Sequence, residues 1–303
     1  MTVSYCIPLY NKERYIAAVL EAALAEQART GGEVLVYDDA STDGSAAAVA
    51  ELAGSHPVTL IEGGRNRGVY DATSRLIERA SQPYLRVVDA DDVILPGSTG
   101  HLLDLLRRHD AALAHGGIGA QGEELPAPDF AAAPVRLEEQ PVRLLLRNID
   151  FNLSASVMPA AAARAALPLP EGLRISQDLC VCLRLARRGR LVRSGATVAL
   201  EPAESVNRLS RRLAAMYRDI CLILAEEFSR EMAGCDVAFA VRRQAGRCRH
   251  YFRREAPGGL ALLDKVFLAR CRLARAAEPI GLQARRLRRI ADLFGRDAGR
   301  VLS

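Results

Sequence analysis

Apolar and polar positions follow two alternating patterns along the first 117 residues. Short apolar runs with β-branched residues are typical of buried strands, and the longer stretches between them have the periodicity of amphipathic helices. The predicted strands are Val3–Leu9, Glu33–Tyr37, Val58–Ile61, Tyr84–Val88 and Ala111–His115, and the predicted helices are Lys12–Ala28, Ser45–Ala53, Val69–Ala80 and Ser98–Arg108. Strands that alternate with helices of this length predict βαβ units. We therefore expect an α/β fold with a mostly parallel sheet covered by helices on both faces.

The rest of the chain has a different pattern. Residues 116–141 are rich in Gly, Pro and Ala and carry several acidic residues, which predicts a loop or linker. The elements predicted after it are strands Leu153–Met158 and Leu191–Leu200 and helices Ser176–Arg188, Leu213–Ser229, Asp236–Phe252 and Leu260–Ala277. We therefore predict three parts: an α/β half over residues 1–117, a second half over residues 118–210, and a basic helical region over residues 211–303.

The composition is that of an ordinary globular protein, since half of the 303 residues are apolar and a quarter are charged. No apolar run approaches the ~18–20 residues that span a bilayer. The N-terminus has no basic segment before its first apolar stretch, so it does not resemble a signal peptide. Seven scattered cysteines then predict reduced thiols in a cytoplasmic protein.

The net charge of +5 is unevenly distributed, because residues 1–200 carry −4 and residues 201–303 carry +9. Arg285, Arg286, Arg288 and Arg289 lie on a late amphipathic helix. Such a helix can lie on an anionic membrane surface, or it can pack on its own domain with the basic face in water. The chain has only 5% aromatic residues, an acidic N-terminal region and no recognised nucleic-acid motif, so we expect no nucleic acid partner.

The sharpest chemical feature is an acidic loop directly after a predicted buried strand. Asp89, Asp91 and Asp92 lie within four residues, and their carboxylates repel one another unless a cation or hydrogen-bond donors compensate. A divalent metal that also binds a diphosphate is one such cation. The alternative is an acidic loop that caps the helix beginning near Ser98.

Further polar residues follow the first and second predicted strands. Tyr10 and Asn11 follow the first, and Asp38 and Asp39 end the second. An aspartate at a strand end can accept hydrogen bonds from a base or from a ribose hydroxyl, or it can serve the turn. Ligands of open α/β sheets bind outside the carboxyl ends of the strands, so we expect these clusters and the acidic loop to form one site.

Four segments in this order and spacing resemble the family 2 glycosyltransferases, which have the nucleotide-binding GT-A fold. They are IPLYNKERYI (7–16), VYDDASTDGS (36–45), NRGVYDA (66–72) and VVDADD (87–92). The resemblance is strong over residues 1–117 and loose over residues 118–210. It implies a mostly parallel Rossmann-like sheet flanked by helices, followed by a helical C-terminal region.

The resemblance also implies roles for individual residues. Pro8 and Tyr10 would cradle and stack the nucleotide base, Asp38 or Asp39 would bind the base or ribose, and Asp71 would approach the nucleotide. Asp89, Asp91 and Asp92 match the motif that binds the metal, Mg²⁺ or Mn²⁺, and the sugar nucleotide. Glu13 holds a recurrent acidic position, although a charge at a helix N-terminus is an equal explanation. Arg208 would neutralise the leaving diphosphate, or it is a surface arginine.

The resemblance places the catalytic base at Asp178, at the start of a predicted helix. An acceptor hydroxyl must lose its proton as it attacks the anomeric carbon, and a carboxylate can take that proton. Gln177 stands where the family usually carries Glu. The alternative is that Asp178 is a carboxylate of the first helical turn.

With these features, the resemblance implies an inverting, metal-dependent glycosyltransferase. It would move a sugar from a UDP-linked donor to a hydroxyl of a saccharide or lipid-linked saccharide in surface polysaccharide or glycoconjugate synthesis, in the cytoplasm or at the inner face of the cytoplasmic membrane. One alternative is a sugar nucleotidyltransferase, although the loop after the first strand lacks the glycines that hold a triphosphate. Another is a non-catalytic nucleotide-binding or scaffold protein derived from a glycosyltransferase.

Overall fold

The computed structural model describes residues 1–122, 128–147, 151–170, 173, 175–203, 213–228, 234–256 and 260–298. The chain forms two compact units. Unit 1 comprises Met1–Pro141, Asp150–Gly172 and Gln177–Ser205, and unit 2 comprises Val142–Ile149, Leu173–Ser176 and Val206–Ser303.

Unit 1 is an α/β structure. Its strands are β1 (Val3–Leu9), β2 (Gly32–Asp38), β3 (Val58–Glu62), β4 (Tyr84–Val87), β5 (Val93–Ile94), β6 (Ala111–Ala120), β7 (Val135–Glu138), β8 (Ser156–Pro159) and β9 (Arg190–Glu201). Its helices are α1 (Glu13–Thr30), α2 (Ser45–Ala53), α3 (Val69–Arg79), α4 (Ser98–Arg108), α6 (Ala160–Ala165) and α7 (Gln177–Ala186). Helix α5 (Pro141–Arg147) begins at the last residue of the first segment of unit 1.

The strands of unit 1 form one mixed sheet in the order β3-β2-β1-β4-β8-β6-β9-β5, with β7 paired to β9. Strands β3, β2, β1 and β4 are parallel, as the sequence predicts, and β8 is antiparallel to both of its neighbours. The strand order reverses between β1 and β4. A reversal of this kind opens a crevice at the carboxyl ends of the strands, where α/β proteins bind their ligands.

The core of unit 1 follows from the apolar pattern of its elements. Every residue of β1 is buried, as expected for a central parallel strand covered on both faces. Helix α1 buries Ile16, Val19, Leu20 and Ala23 at helical spacing against the sheet. Burial of one such aliphatic side chain contributes about 1.5–3 kcal/mol, so this stripe fixes the helix on the sheet.

The prediction of a loop over residues 116–141 is wrong in two places. Strand β6 continues to Ala120, and β7 lies within the predicted loop. Gly116, one of the glycines that suggested a loop, is instead required by close packing, because a Cβ atom on it would lie 2.5 Å from a methyl carbon of Val198 on β9. The low β propensity of Gly and Ala hides a paired strand here.

Two further predictions differ from the structure. The strand predicted over Leu153–Met158 begins as a 3₁₀ turn at Leu153–Ala155, because the Asn152 side chain accepts a hydrogen bond from the Ser154 amide. The helix predicted over Leu260–Ala277 is shorter, Leu262–Cys271.

Unit 2 contains α8 (Leu213–Glu227), α9 (Gly234–Arg254), α10 (Leu262–Cys271) and α11 (Ile280–Ala298). The apolar face of α11, which includes Leu287, Ile290 and Phe294, is buried, and the Phe294 ring lies 5.4 Å from that of Tyr217. Arg285, one of its basic residues, is exposed. This arrangement favours the packed alternative for the late basic helix. No helix among the described residues has the length and apolarity needed to cross a bilayer.

Candidate active site

The acidic loop after β4 lies at the crevice between β1 and β4. Asp91 and Asp92 are buried there, and the Lys12 ammonium, from the loop after β1, donates to Asp91 Oδ2. Asn152 donates from Nδ2 to Asp92 Oδ2 at 2.9 Å, and the Asp89 amide donates to Ser154 Oγ at 2.9 Å. The loop is therefore held from β1 on one side and from the 3₁₀ turn before β8 on the other.

Arg86 on β4 fixes that 3₁₀ turn, and sequence reasoning missed it. Its side chain is fully buried and donates from Nε and Nη2 to the Ser154 carbonyl, at 2.9 and 2.7 Å. It also donates to the hydroxyls of Ser98 and Thr99, each at 2.8 Å, and to the Val198 carbonyl at 3.1 Å. Burial lowers the pKa of this guanidinium to about 10. The available signal was a charged residue inside an apolar strand, three residues before the acidic loop.

The structure brings Asp178 to the acidic loop, across 86 positions of sequence from Asp92. Asp178 lies in the first turn of α7, and within the described residues its Oδ1 is buried without a hydrogen-bond partner. Burial, and then the Asp92 carboxylate, raise the pKa of Asp178 to about 7. Burial raises the pKa of Asp89 as well, with contributions from Asp178, Asp92 and Asp91. The contributions of these charges to one another's pKa indicate that the four carboxylates lie near one another.

The residues expected at the nucleotide lie at the ends of β1 and β2. Pro8 is buried within β1, and Tyr10 is 43% exposed at its end. The Asp38 carboxylate accepts from the Ser41 amide at 3.2 Å. The Asp39 carboxylate accepts from the amides of Arg67 and Gly68, both at the N-terminus of α3. Asp39 therefore holds the α3 terminus in place, whereas the Asp38 carboxylate bonds to the turn that follows its own strand.

The remaining candidates are distributed differently. Glu13 accepts from the Gly44 amide at 3.0 Å, so it lies at the N-terminus of α2. Asp71 pairs with Arg75 on the surface of α3, with Nε 2.6 Å from Oδ2. Arg208 lies outside the described residues.

Backbone conformation marks three of the loops around this edge. Asn11 after β1, Ala40 after β2 and Ser176 before α7 have φ values of 51°, 59° and 71°. Positive φ is costly for residues with a side chain, and it persists where the surrounding structure over-determines the conformation. Three such residues in the loops that carry the site indicate that its backbone is held in a fixed geometry.

The carboxylates suit a hard divalent cation. Asp89, Asp92 and Asp178 repel one another, and a cation beside Asp89 and Asp92 would reduce that repulsion. No group of three or more acidic, His or Cys side chains in the described ranges is arranged to hold a metal ion alone. A metal at Asp91 therefore needs further oxygen ligands, which a bound diphosphate supplies.

The sheet order, the crevice and the acidic loop define a GT-A type nucleotide-binding fold. Two solved structures share this fold. Staphylococcus aureus TarS residues 1–349 in complex with UDP-GlcNAc has a TM-score of 0.66 and 16% identity, covering 98% of this chain and 92% of that one. The mannosyltransferase PcManGT from Pyrobaculum calidifontis, with GDP-Man and Mn²⁺, has a TM-score of 0.61 and 16% identity, covering 98% and 86%.

The chain belongs to glycosyl transferase family 2, because the sequence profile of that family matches residues 4–159. It is similar to the succinoglycan biosynthesis protein ExoO of Rhizobium meliloti (strain 1021), with 28% identity over 96% of this chain and 88% of the relative. It is also 33% identical to Escherichia coli chondroitin synthase over 37% of this chain and 16% of that protein. The resemblance inferred from the four segments is thereby confirmed.

Proposed function

We propose that this glycosyltransferase moves a sugar from a UDP-linked donor to a hydroxyl of a growing saccharide, with inversion at the anomeric carbon. The observation that carries the proposal is the position of Asp178. The fold brings this carboxylate to the acidic loop, burial and a neighbouring charge raise its pKa to about 7, and one of its oxygens has no partner in the described part of the chain.

The donor is proposed to bind across the carboxyl edge of β1 and β2. The exposed Tyr10 ring offers a stacking surface for the base, and Asp38 accepts a hydrogen bond from the base or ribose. Asp39 supports this edge indirectly, through the α3 terminus. We favour uridine because TarS, which has the same fold, was solved with UDP-GlcNAc.

The diphosphate is proposed to lie over the crevice, near Asp91 and Lys12. Asp91, with Asp89 and Asp92 beside it, would hold Mg²⁺ or Mn²⁺, and the metal, when bound, neutralises charge that develops on the leaving diphosphate. Lys12 places an ammonium group at the same point. It can then pair with a phosphate oxygen when a metal occupies Asp91.

Asp178 is proposed to act as the general base. Its pKa is raised to about 7, and a general base is most effective when its pKa lies near the working pH. The acceptor oxygen forms a bond to the anomeric carbon as the bond from that carbon to the diphosphate oxygen breaks, and the hydroxyl proton passes to Asp178. A single displacement of this kind inverts the anomeric configuration.

The acceptor is proposed to be a saccharide or a lipid-linked saccharide on the route to a surface polysaccharide, with the enzyme acting in the cytoplasm. The support comes from the relatives, whose names refer to succinoglycan biosynthesis and chondroitin synthesis.

The test is a melting-temperature panel of UDP-, GDP-, dTDP- and CMP-sugars, each with and without Mn²⁺. A ligand that binds only the native state raises the melting temperature by mass action. We expect one nucleotide class to stabilise the wild type only with metal, and Asp91→Asn to abolish the response. Asp104→Asn is the matched control, since Asp104 is an exposed aspartate on α4.

Two results would count against the proposal. If a nucleotide sugar raised the melting temperatures of the wild type and of Asp91→Asn equally without metal, the acidic loop would have no role in metal-dependent donor binding. Stabilisation by a nucleotide sugar that is never consumed would instead support a non-catalytic nucleotide-binding protein.

A further inference from the structure

The outward face of α10 is apolar and exposed. Leu262, Leu263, Val266 and Leu273 are 75%, 77%, 50% and 75% exposed. Leu262, Val266 and Leu273 are separated by four and seven positions, so with the exposed Ala269 they form one stripe along the helix and the turn that follows it. Contiguous exposed apolar surface of this kind marks an interaction site, whereas single exposed apolar residues do not.

The opposite face of α10 is fixed to its own unit. Leu268 and Cys271 are buried there. Asp264 is also buried and pairs with Arg296 at 3.2 Å and with Arg289 at 3.5 Å, while the Arg289 guanidinium stacks over the Phe267 ring at 4.1 Å. These contacts set the rotation of the helix, so the apolar stripe cannot turn inward without breaking them.

The stripe is bordered by cations. Between residues 260 and 277 the sequence has four basic residues and one acidic residue, Asp264. That aspartate belongs to the buried face, whereas Lys265, Arg270, Arg272 and Arg275 are exposed. On a helical projection Lys265 and Arg272 lie on one side of the stripe, and Leu263 and Arg270 lie on the other.

We propose that this surface, the α10 face, binds the surface of an anionic lipid bilayer. It comprises the apolar residues Leu262, Leu263, Val266, Ala269 and Leu273 and the cations Lys265, Arg270 and Arg272. The apolar side chains enter the boundary between headgroups and acyl chains, and the cations pair with anionic headgroups. Their long aliphatic stems let the charged ends reach the headgroup level.

Charge distinguishes a bilayer from a second copy of the chain. A two-fold symmetric contact through the α10 face would place the same cations of both copies around one apolar centre. Like charges in such a contact repel, whereas a bilayer offers apolar and negative groups together. The inference rests on α10 alone and does not depend on the proposed donor or base.

The test is flotation of the full-length protein with two kinds of vesicle, pure phosphatidylcholine and phosphatidylcholine with about one third phosphatidylglycerol. We expect the protein to bind the anionic vesicles only. Salt at about 0.5 M should release it, because salt screens the attraction between the cations and the headgroups. The variant Leu262→Ser/Val266→Ser/Leu273→Ser should bind at least ~10-fold more weakly. The affinity of the variant Lys265→Gln/Arg272→Gln for the anionic vesicles should fall about fivefold for each cation removed.

The matched control is Val135→Ser/Leu137→Ser, which removes two exposed apolar residues of β7 and should bind like the wild type. Because the substituted residues of α10 are exposed, we expect unchanged melting temperatures. If the triple variant melts lower, the single variant Leu263→Ser provides the comparison. The proposal would be overturned if the wild type did not float with anionic vesicles. It would also be overturned if the apolar variant bound them as strongly as the wild type. If the wild type binds no vesicles but forms a dimer, and the apolar variant is a monomer, the α10 face would instead be assigned to contact with a second copy of the chain.

Discussion

At the scale of single residues, Arg86 links the core of unit 1 to the acidic loop. Its guanidinium joins the Ser154 carbonyl to the hydroxyls at the start of α4. Ser154 in turn accepts from the Asp89 amide. A buried cation is costly, but here its N–H donors are used in hydrogen bonds to buried carbonyl and hydroxyl oxygens. Arg86 is therefore a positioning residue for the loop, three residues away.

Replacement of Arg86 by Met should destabilise the protein and misplace the loop. The side-chain volume is nearly kept, but the Ser154 carbonyl loses both of its Arg86 donors and the Ser98 and Thr99 hydroxyls lose theirs. We expect this loss to lower the free energy of unfolding by about 2–4 kcal/mol. Urea denaturation measures the change. Arg136→Met, at an exposed arginine of β7, is the control. An unchanged urea midpoint in Arg86→Met would contradict this role.

The raised pKa of Asp178 makes a prediction about pH. The folded protein holds this proton up to about pH 7, whereas an ordinary aspartate with a pKa of 3.8 releases it earlier. The folded state therefore binds more protons between these values, and the free energy of unfolding falls as pH rises through that interval. Asp178→Asn should remove this decrease in the free energy of unfolding, because asparagine does not ionise.

We expect Asp178→Asn to melt a few degrees above the wild type at about pH 8, and the difference to shrink toward about pH 5. Scanning fluorimetry across this range, with no nucleotide or divalent metal, measures it. Asp104→Asn should follow the wild type at every pH. A difference that is constant with pH would show that ionisation of Asp178 is not its source.

The sequence predicted the carboxylates of the candidate site but not the residues that hold them. Asp89, Asp91 and Asp92 stand out because three carboxylates within four residues, directly after a predicted buried strand, repel one another, whereas Asp178 was predicted from the family resemblance. Arg86 was missed because its partners are backbone and hydroxyl oxygens from the 3₁₀ turn before β8, from α4 and from β9, which only the fold brings together.

At the scale of elements, the first four βαβ units could be predicted to within a few residues, because each apolar run is bounded by turn residues. Strand β6 was cut short in the prediction because four of its last five residues are Gly or Ala, and Gly116 lies where a Cβ atom would be 2.5 Å from Val198 on β9. The 3₁₀ turn before β8 was missed because the apolar residues of this segment fit a strand pattern. Its conformation is instead set by the side chain of Asn152, which caps the turn.

The same turn carries a testable role, because Asn152 both caps it and donates to Asp92. Asn152→Ala should cost about 1 kcal/mol of stability, in the range of lost caps. It should also weaken nucleotide-dependent stabilisation by metal, since Asp92 then loses a fixed donor. Asn152→Ser keeps a side-chain oxygen that can cap the turn but removes the Nδ2 donor and adds no charge beside Asp92, so it should recover stability without recovering the metal response. Recovery of both by Asn152→Ser would contradict a direct role for the Asn152 amide group.

At the scale of the whole molecule, the chain combines an α/β unit that carries the carboxylate site with a helical unit that carries the excess positive charge. The prediction of three parts remains a prediction. The two compact units are discontinuous in sequence, with residues 142–149 and 173–176 assigned to the helical unit. Interleaving of this kind has no local sequence signal, because it depends on contacts between distant segments.

The measurement that tests the central claim most directly is donor consumption by Asp178→Asn. The rate of nucleoside diphosphate release from the nucleotide sugar that stabilises the wild type should fall by about 10²–10⁴, since a positioned base contributes that much. The affinity for the donor, measured by the same melting shift, should stay within a few-fold of wild type, since Asp178 acts on the acceptor. A full rate of release in Asp178→Asn would contradict the assignment of the base and, with it, the function proposed for this site.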